Sequence, residues 1–237
     1  MKRDLLDRLV SARADKHPVA LVTDLGTGLQ TLVTDTVAHG GLGFDATDLT
    51  VIRQWLDADR SGVIEDDERR WFVQSFNAPP RLLLVGAVHI AQALAPMAVV
   101  DGFDVVVIDP RGAFATDARF PGVTIVSEWP DDALQQLRPD RRSAIVTLTH
   151  DPKLDDPALH AALRSPAFYI GSLGSRSTHA ARIDRLREAG FGEADIKRIH
   201  APVGLAIKAA TPAEIATAIL AQIIQVRRTD DSGGART

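Results

Sequence analysis

The sequence predicts an α/β protein in which a smaller α+β domain precedes a domain built on a parallel sheet. Beyond residue 80, short runs of β-branched residues alternate with helical patterns, which is typical of parallel strands joined by crossover helices. Before residue 77, two short β-rich runs follow each other directly across a glycine turn. Between these regions lies Asn77-Ala-Pro-Pro80, whose paired prolines cannot continue a strand or a helix, so we place the linker there.

Length and composition exclude several classes of protein. The chain has 237 residues, of which 45% are hydrophobic and 24% charged, as in one large or two small globular domains. The net charge of −4 gives no reason to expect a nucleic-acid partner. No apolar stretch is long enough for a membrane span or a signal peptide, so we expect a cytoplasmic protein. The lack of cysteine excludes disulfides, thiolate metal ligands and a cysteine nucleophile.

Residues 1–76 are predicted to form the small α+β domain. Its apolar positions recur at helical spacing in two segments, and three other segments read as short strands. The predicted elements are a helix over residues 2–14, strands over Val19–Thr23 and Thr31–Thr34, a glycine-rich loop over residues 35–48, a helix over Leu49–Leu56 and a strand over Trp71–Phe76.

Residues 81–228 are predicted to form the parallel-sheet domain, and the polar residues 229–237 a disordered tail. The predicted strands are Leu82–Val85, Asp104–Ile108, Val123–Val126, Ala144–Thr147 and Phe168–Gly171. The predicted helices are Ile90–Ala98, Asp131–Leu137, Pro157–Arg164, Thr178–Glu188 and a last helix that Thr211 caps and that runs through Val226.

The first glycine turn, residues 86–91, has the outline of the dinucleotide-binding pattern G-x-G-x-x-G/A. Gly86 meets the first position, but Val88 stands at the second, where a pyrophosphate approaches the backbone. Asp109 follows Gly86 by 23 positions, at the usual place of a carboxylate that binds a ribose diol. The pattern predicts a phosphate-bearing ligand at a helix N-terminus, where His89 either faces the ligand or is an exposed residue of the helix. The alternative is a Rossmann-like turn that does not bind a nucleotide.

The second glycine turn, residues 169–176, also ends a strand and precedes a helix. Gly171 and Gly174 permit a tight turn. Ser172, Ser175 and Arg176 offer donors to an anion, namely hydroxyls, backbone N–H groups and a guanidinium. Both glycine turns are expected at the carboxyl edge of the sheet, where open α/β sheets bind their ligands. The alternative is a serine-capped helix with a surface arginine.

A group of polar residues follows the strand between these two turns. His150, Asp151 and Asp155 suit either a metal or acid–base group or a polar loop with an N-cap aspartate. His200 also has two interpretations, as a residue lining the same crevice or as a structural histidine.

Residues 57–68 match the calcium-binding EF-hand loop, with acids at loop positions 1, 3 and 12 and glycine at 6. EF-hands work in pairs, and the sequence contains no second such loop. The strand predicted at Trp71–Phe76 also stands where an EF-hand requires a helix. We therefore expect an acidic turn and not a calcium site, and a calcium-responsive interaction module is the least favoured functional hypothesis.

Five segments carry a family resemblance when they are taken in order. They are Leu82–Val85 with Gly86-Ala-Val-His-Ile-Ala-Gln-Ala-Leu-Ala-Pro96, Val107-Ile-Asp-Pro-Arg111, Tyr169-Ile-Gly-Ser-Leu-Gly-Ser-Arg176, His200-Ala-Pro-Val-Gly-Leu205 and Thr211-Pro-Ala-Glu-Ile-Ala216. Together they resemble the XdhC/CoxI family, the accessory proteins of xanthine dehydrogenase and related molybdenum hydroxylases. The resemblance covers residues 70–228 and extends only loosely to the first 70 residues.

The resemblance implies a Rossmann-like domain that binds molybdenum cofactor, as molybdopterin or its dinucleotide form, protects its sulfurated form, and delivers it to a xanthine dehydrogenase-type molybdenum hydroxylase. It implies a cofactor chaperone rather than a turnover enzyme, and a homo-oligomer, often a dimer. The cofactor-binding residues would be Gly86, Val88, His89, Asp109, Arg111, Gly171, Ser172, Gly174, Ser175 and Arg176, with no metal ligand identified.

Two departures from the family pattern accompany this resemblance. Many relatives carry a cysteine in the N-terminal half, where this chain has His39-Gly40-Gly41, so a cysteine-based transfer is excluded here. Lys208 stands where a glycine is expected. The main rival function is an NAD(P)-dependent oxidoreductase: Asp109 favours NAD and Arg111 favours NADP, whereas Val88 argues against both.

Overall fold

The computed structural model describes residues 1–65 and 69–230. The chain divides into two compact units, Met1–Ala78 and a second unit that begins at Pro79.

The first unit is a five-stranded antiparallel sheet with one helix on each face. The strand order is β3-β2-β1-β5-β4. In chain order its elements are α1 (Arg3–Ala14), β1 (Val19–Asp24), β2 (Gln30–Val33), β3 (Ala38–Gly40), α2 (Ala46–Asp57), β4 (Gly62–Glu65) and β5 (Arg70–Phe76).

Strand β1 is apolar at successive positions because both of its faces are covered. Val19 and Leu21 pack with the buried residues of α1, whereas Ala20 and Val22 pack with those of α2. Successive side chains of a strand point to opposite faces, so the run separates into two small cores.

The sequence did not predict two strands of this unit. The segment 35–48 is not all loop, because Ala38–Gly40 forms an edge strand. Gly40 is required there, since a Cβ would overlap the Gln30 carbonyl oxygen. Helix α2 also begins earlier than Leu49, because Asp45 and Asp48 form a capping box at its start. The other unpredicted strand is β4.

The second unit is a six-stranded parallel sheet in the order β11-β10-β9-β6-β7-β8, which confirms the predicted α/β, Rossmann-like class. Its strands are β6 (Arg81–Val85), β7 (Asp104–Ile108), β8 (Thr124–Val126), β9 (Ser143–Thr147), β10 (Tyr169–Ser172) and β11 (Ile199–His200). Its helices are α3 (His89–Val100), α4 (Pro130–Leu137), α5 (Pro152–Arg164), α6 (Arg176–Glu188), α7 (Glu193–Ile196) and α8 (Pro212–Asp230).

Helices cover both faces of this sheet, which explains the continuous apolar runs of its strands. Leu82 and Leu84 face the core that α3 and α8 share, whereas Leu83 and Val85 face the core formed with α4, α5 and α6. The sheet is therefore buried on both sides, and its loops at the carboxyl ends of the strands carry the polar groups.

The ends of several predicted elements shift in this unit, and one predicted cap is confirmed. Helix α5 begins at Pro152 rather than Pro157, because Asp151 caps it through a bond from Lys153 N. The proposed cap of α8 is confirmed, since Thr211 Oγ1 accepts from Glu214 N at 3.2 Å. The tail does not begin at residue 229, because α8 continues through Asp230. The rest of the predicted tail, residues 231–237, lies outside the described residues.

Candidate functional site

The candidate site lies at the point where the strand order reverses. The chain builds the sheet from β6 through β7 to β8 on one side, then returns to place β9, β10 and β11 on the other side of β6. The loops after β6 and β9 therefore leave the sheet in opposite directions and open a crevice at its carboxyl edge, where sheets of this type bind ligands. The first glycine turn borders this crevice, and the second follows the adjacent strand β10.

Gly86 brings the loops after β6 and β9 into direct contact. Its φ of +110° lies in the region that favours glycine. A Cβ at this position would lie 2.5 Å from Cγ2 of Thr149. The Thr149 side chain therefore fills the space beside the first glycine turn, a contact that the sequence did not reveal because the two residues are far apart in the chain.

Asp109 does not present its carboxylate to a ligand. It is fully buried, and its Oδ2 accepts from the backbone N of Ala87 at 2.8 Å. Arg111 completes its hydrogen bonds, with Nε on Oδ1 at 2.9 Å and Nη2 on Oδ2 at 2.8 Å. Burial by itself raises the pKa of Asp109, but the bonds from Arg111 and Ala87 and the guanidinium charge outweigh it, so that the pKa is lowered. The carboxylate in the ribose-binding position thus connects β7 to the first glycine turn.

Arg111 stands at the rim of the crevice with 41% of its side chain exposed. Its guanidinium carbon lies 4.9 Å from the centroid of the exposed Phe114 ring. The hydrogen bonds to Asp109 raise the pKa of Arg111, and the charges of Asp151 and Asp155 add to this effect. Arg111 is therefore a fixed positive charge on the side of the crevice formed by the loop after β7.

The N-terminus of α3 has no side-chain cap. Val88 occupies the N-cap position and has no side-chain oxygen to accept the first N–H groups. Its side chain packs, half-buried, against the core beneath the helix. His89 is the first residue of the helix and is exposed. The backbone donors at this end are therefore suited to an anion.

The second glycine turn uses several of its predicted ligand groups internally. Ser172 is fully buried, and its hydroxyl lies 2.5 Å from that of Thr147 on the neighbouring strand. Gly171 is required by packing, because a Cβ would lie 2.6 Å from a methyl of Val203 and 2.9 Å from the Tyr169 ring. Ser172 and Gly171 therefore shape the turn from within the sheet.

The helix that follows this turn is capped. Ser175 Oγ accepts from the backbone N of Thr178 at 3.1 Å, which satisfies one of the first N–H groups of α6. Gly174 has a φ of +145°, and Arg176 is exposed at the first helical position. Of the polar side chains predicted here, Arg176 is the one that reaches solvent without serving as the cap.

Two buried residues at this edge were not among the predicted binding residues. Asp155 and Arg182 are each 2% exposed. Asp155 Oδ1 accepts from Thr149 Oγ1 at 2.6 Å, and Arg182 Nη2 donates to the Leu173 carbonyl at 3.0 Å. The sequence pattern leaves two interpretations for Asp155, a metal or acid–base group and a polar loop, and neither predicts a buried partner for Arg182. Arg182 gave one signal, namely that it shares a helical face with the buried Leu186 at i+4.

Part of the calcium-loop pattern forms a strand. Residues 62–65 form β4, which pairs with β5 through Gly62↔Val73 and Glu65↔Arg70. Ser61 Oγ accepts from Ser75 N at 2.9 Å. A strand thus occupies the place of the exiting helix, which an EF-hand does not allow. The last acid of the pattern, Glu68, lies outside the described residues.

The two departures from the family pattern are both visible. His39 lies on β3 at a cavity of about 540 Å³, with Nε2 3.9 Å from Oδ2 of Asp4. Lys208 adopts a φ of +61°, the region in which glycine is favoured. Within residues 1–65 and 69–230, no three His, Asp or Glu side chains are grouped to hold a metal ion. No helix in the same ranges is long and apolar enough to cross a bilayer.

Comparison with known proteins gives a consistent result. Residues 82–223 match the model of the XdhC Rossmann domain. "Uncharacterized protein YqeB" of Escherichia coli is 36% identical over 166 residues, which cover 68% of this chain and 30% of the relative. A probable xanthine dehydrogenase subunit of Bacillus subtilis is 34% identical over 164 residues, 69% of this chain and 48% of the relative.

A third relative, "Molybdenum cofactor insertion chaperone PaoD" of Escherichia coli, is 31% identical over 156 residues, 66% of this chain and 43% of the relative. The chain thus spans less than half the length of each of these relatives. A crystal structure described as a xanthine dehydrogenase from Bacillus halodurans superposes with a TM-score of 0.75 and 26% identity, covering 96% of this chain and 67% of that one.

Proposed function

The chain belongs to the XdhC family, and from this premise we propose that it binds molybdenum cofactor at the carboxyl edge of its parallel sheet and delivers it to a xanthine dehydrogenase-type molybdenum hydroxylase. It acts as a chaperone and carries out no turnover of its own. The observation that supports this proposal most strongly is the uncapped N-terminus of α3 at the reversal point of the sheet. Molybdopterin carries a phosphate and its dinucleotide form a pyrophosphate, and such groups bind where backbone N–H groups lack acceptors.

The residues divide into two roles in this proposal. Gly86, Val88, His89 and Arg111 contact the phosphate and its surroundings, and Arg176 supplies a second positive charge from the second glycine turn. Asp109, Gly171, Ser172, Gly174 and Ser175 set the shape of the two turns, as their hydrogen bonds and close contacts indicate. The names of two relatives support the maturation role, since one is a molybdenum cofactor insertion chaperone and the other is described as part of a probable xanthine dehydrogenase.

The inward carboxylate of Asp109 favours this function over an NAD(P)-dependent oxidoreductase. A ribose diol needs a free acceptor at the end of the second strand. Here both oxygens of Asp109 already accept bonds from Ala87 and Arg111. The turn keeps a helix N-terminus suited to phosphate and lacks the free acceptor through which NAD and NADP hold a ribose diol.

The test is to purify the chain from a host that makes molybdenum cofactor and to measure molybdenum and pterin fluorescence per chain. We expect both in the wild type, and neither when the host cannot synthesise the pterin. Light scattering of the same sample measures whether the chain is a dimer. A wild-type sample without bound pterin or molybdenum would refute the proposal.

One pair of variants tests the N-terminus of α3 itself. Val88→Asp supplies an N-cap acceptor that competes with the ligand for the same N–H groups and adds a negative charge. Val88→Ser supplies a neutral acceptor at the same position and loses the same packing against the core. We expect the aspartate variant to retain much less pterin than the serine variant. Equal retention by the two variants would contradict this placement of the phosphate.

A further inference from the structure

A buried ion pair lies beneath the loops that follow β9 and β10. Nη2 of Arg182 lies 3.9 Å from Oδ2 of Asp155, at the long end of the range for an ion pair. Three polar atoms of the pair have no hydrogen-bond partner among the described residues: Oδ2 of Asp155, and Nε and Nη1 of Arg182. Burial raises the pKa of Asp155 and lowers that of Arg182, although each charge acts to oppose the shift of the other.

Such a pair is a poor stabiliser of the fold. Taking two charges out of water costs free energy that is recovered only with close geometry and complete hydrogen bonding. Neither condition is met by Asp155 and Arg182. Apolar side chains of similar volume are often as stable as a buried ion pair, or more stable. We therefore look for the role of the pair in the loops that Asp155 and Arg182 contact.

Each member holds one of the two loops. Asp155 Oδ1 accepts from Thr149 Oγ1 at 2.6 Å, and the methyl group of Thr149 fills the space beside Gly86. Arg182 Nη2 donates to the carbonyl of Leu173 at 3.0 Å. An unbroken series of contacts therefore runs from the first glycine turn through Thr149, Asp155 and Arg182 to the second.

We propose that Asp155 and Arg182 are positioning residues that hold the two glycine turns at the separation a phosphate-bearing ligand requires. The proposal rests on the proposed function, because it assigns both turns to one ligand. The pair does not touch the ligand and acts through Thr149 and Leu173.

The adjacent ion pair is a matched control. Arg185 donates to Asp156 through Nε at 2.5 Å and Nη2 at 2.9 Å, so this pair joins the same two helices, α5 and α6. The remaining hydrogen bond of Arg185 goes to the Ala181 carbonyl within α6. The control pair thus stays on the helices, whereas Asp155 and Arg182 reach the loops.

The experiment compares Asp155→Leu/Arg182→Met with Asp156→Leu/Arg185→Met in the full chain, produced in a host that makes molybdenum cofactor. We expect the first variant to have a Tm equal to or above that of the control variant. Its retained pterin per chain falls about tenfold. In the ligand-free chain, amide hydrogen exchange accelerates in both loops, residues 148–151 and 173–176, whereas the control variant exchanges like the wild type.

A second variant, Asp155→Asn/Arg182→Gln, keeps the site polar and serves if the apolar variant fails to fold. Unfolding of both would identify the pair as a structural element and overturn the inference. The inference is also overturned if a folded variant retains as much pterin as the wild type, or if the control variant loses as much pterin as the Asp155/Arg182 variant. If the wild type itself retains no pterin, the proposed function fails separately, and unchanged exchange in the two loops then overturns the positioning role.

Discussion

Replacing Asp109 by Asn tests whether its carboxylate holds the first glycine turn. Asn keeps the size of the side chain but replaces one acceptor oxygen with an NH₂ donor. At the Oδ1 position that donor faces the backbone N–H and Nε of Arg111, and at the Oδ2 position it faces the backbone N–H of Ala87 and Nη2 of Arg111, all of which are donors themselves. In either orientation two hydrogen bonds to the carboxylate are lost and a buried donor is left without an acceptor.

The expected loss follows from these contacts. A hydrogen bond to a charged group contributes about 1.5–3 kcal/mol. Part of the interaction with Arg111 is screened because 41% of that side chain is exposed. The buried bond to Ala87 is not screened, so we expect Asp109→Asn to lower the free energy of unfolding of the second unit by about 2–3 kcal/mol at pH 7.

The assay is urea unfolding at several pH values, followed by hydrogen exchange in β6 and β7 so that the second unit is measured separately. The pKa of Asp109 is lowered in the folded chain, so its contribution is present above the unfolded pKa and is lost as pH falls through the folded value. The difference between wild type and Asp109→Asn should therefore shrink below about pH 4. A difference under about 0.5 kcal/mol at pH 7, or one that persists unchanged in acid, would refute the reasoning.

Three further predictions concern the same edge of the sheet. Gly86→Ala combines a strained φ with a Cβ 2.5 Å from Thr149, and it should lower the free energy of unfolding in urea by about 2–4 kcal/mol. The control Gly122→Ala has a φ of +72° and nothing within 4 Å, so it should lower this free energy by only about 1 kcal/mol. Equal losses in the two variants would contradict the close contact at Gly86. Arg176→Ala should leave the Tm unchanged and lower retained pterin, measured against Arg187→Ala on the same helix, and equal retention would remove Arg176 from the binding residues. Fluorescence titration with NADH should show no saturable binding at micromolar concentrations, and tight binding with fluorescence enhancement would support the oxidoreductase instead.

The parallel sheet was predictable because its strands are buried on both faces. Runs such as Leu82–Val85 and Ala144–Thr147 then lose the alternation of apolar and polar residues, and the glycine turn after β6 marks where the helix begins. Strands β3 and β4 were missed for the opposite reason. They are short edge strands whose side chains are exposed or half-exposed. Their sequences therefore lack the run of apolar residues that marks a buried strand.

The candidate site was predictable in its location but less so in its detail. Position in the chain places Asp109 and Ser172 at the carboxyl ends of strands, yet it does not say whether a side chain turns toward a ligand or toward its neighbours. Both turn inward, to Ala87 and to Thr147. Arg182 illustrates the same limit, because an arginine in a strongly polar helix gives the pattern of a surface residue, and only the tertiary packing shows it to be buried.

With its carboxylate engaged by Ala87 and Arg111, Asp109 also has a consequence for which metabolites would compete at the proposed site. Dinucleotide coenzymes are abundant in living cells, and a carrier that recognised their sugar hydroxyls would be saturated by them. Selectivity can come from weakening the wrong complex as well as from strengthening the right one. Under the proposed function, a scarce cofactor then needs only modest affinity, because NAD and NADP lack the hydrogen bond that normally holds their ribose.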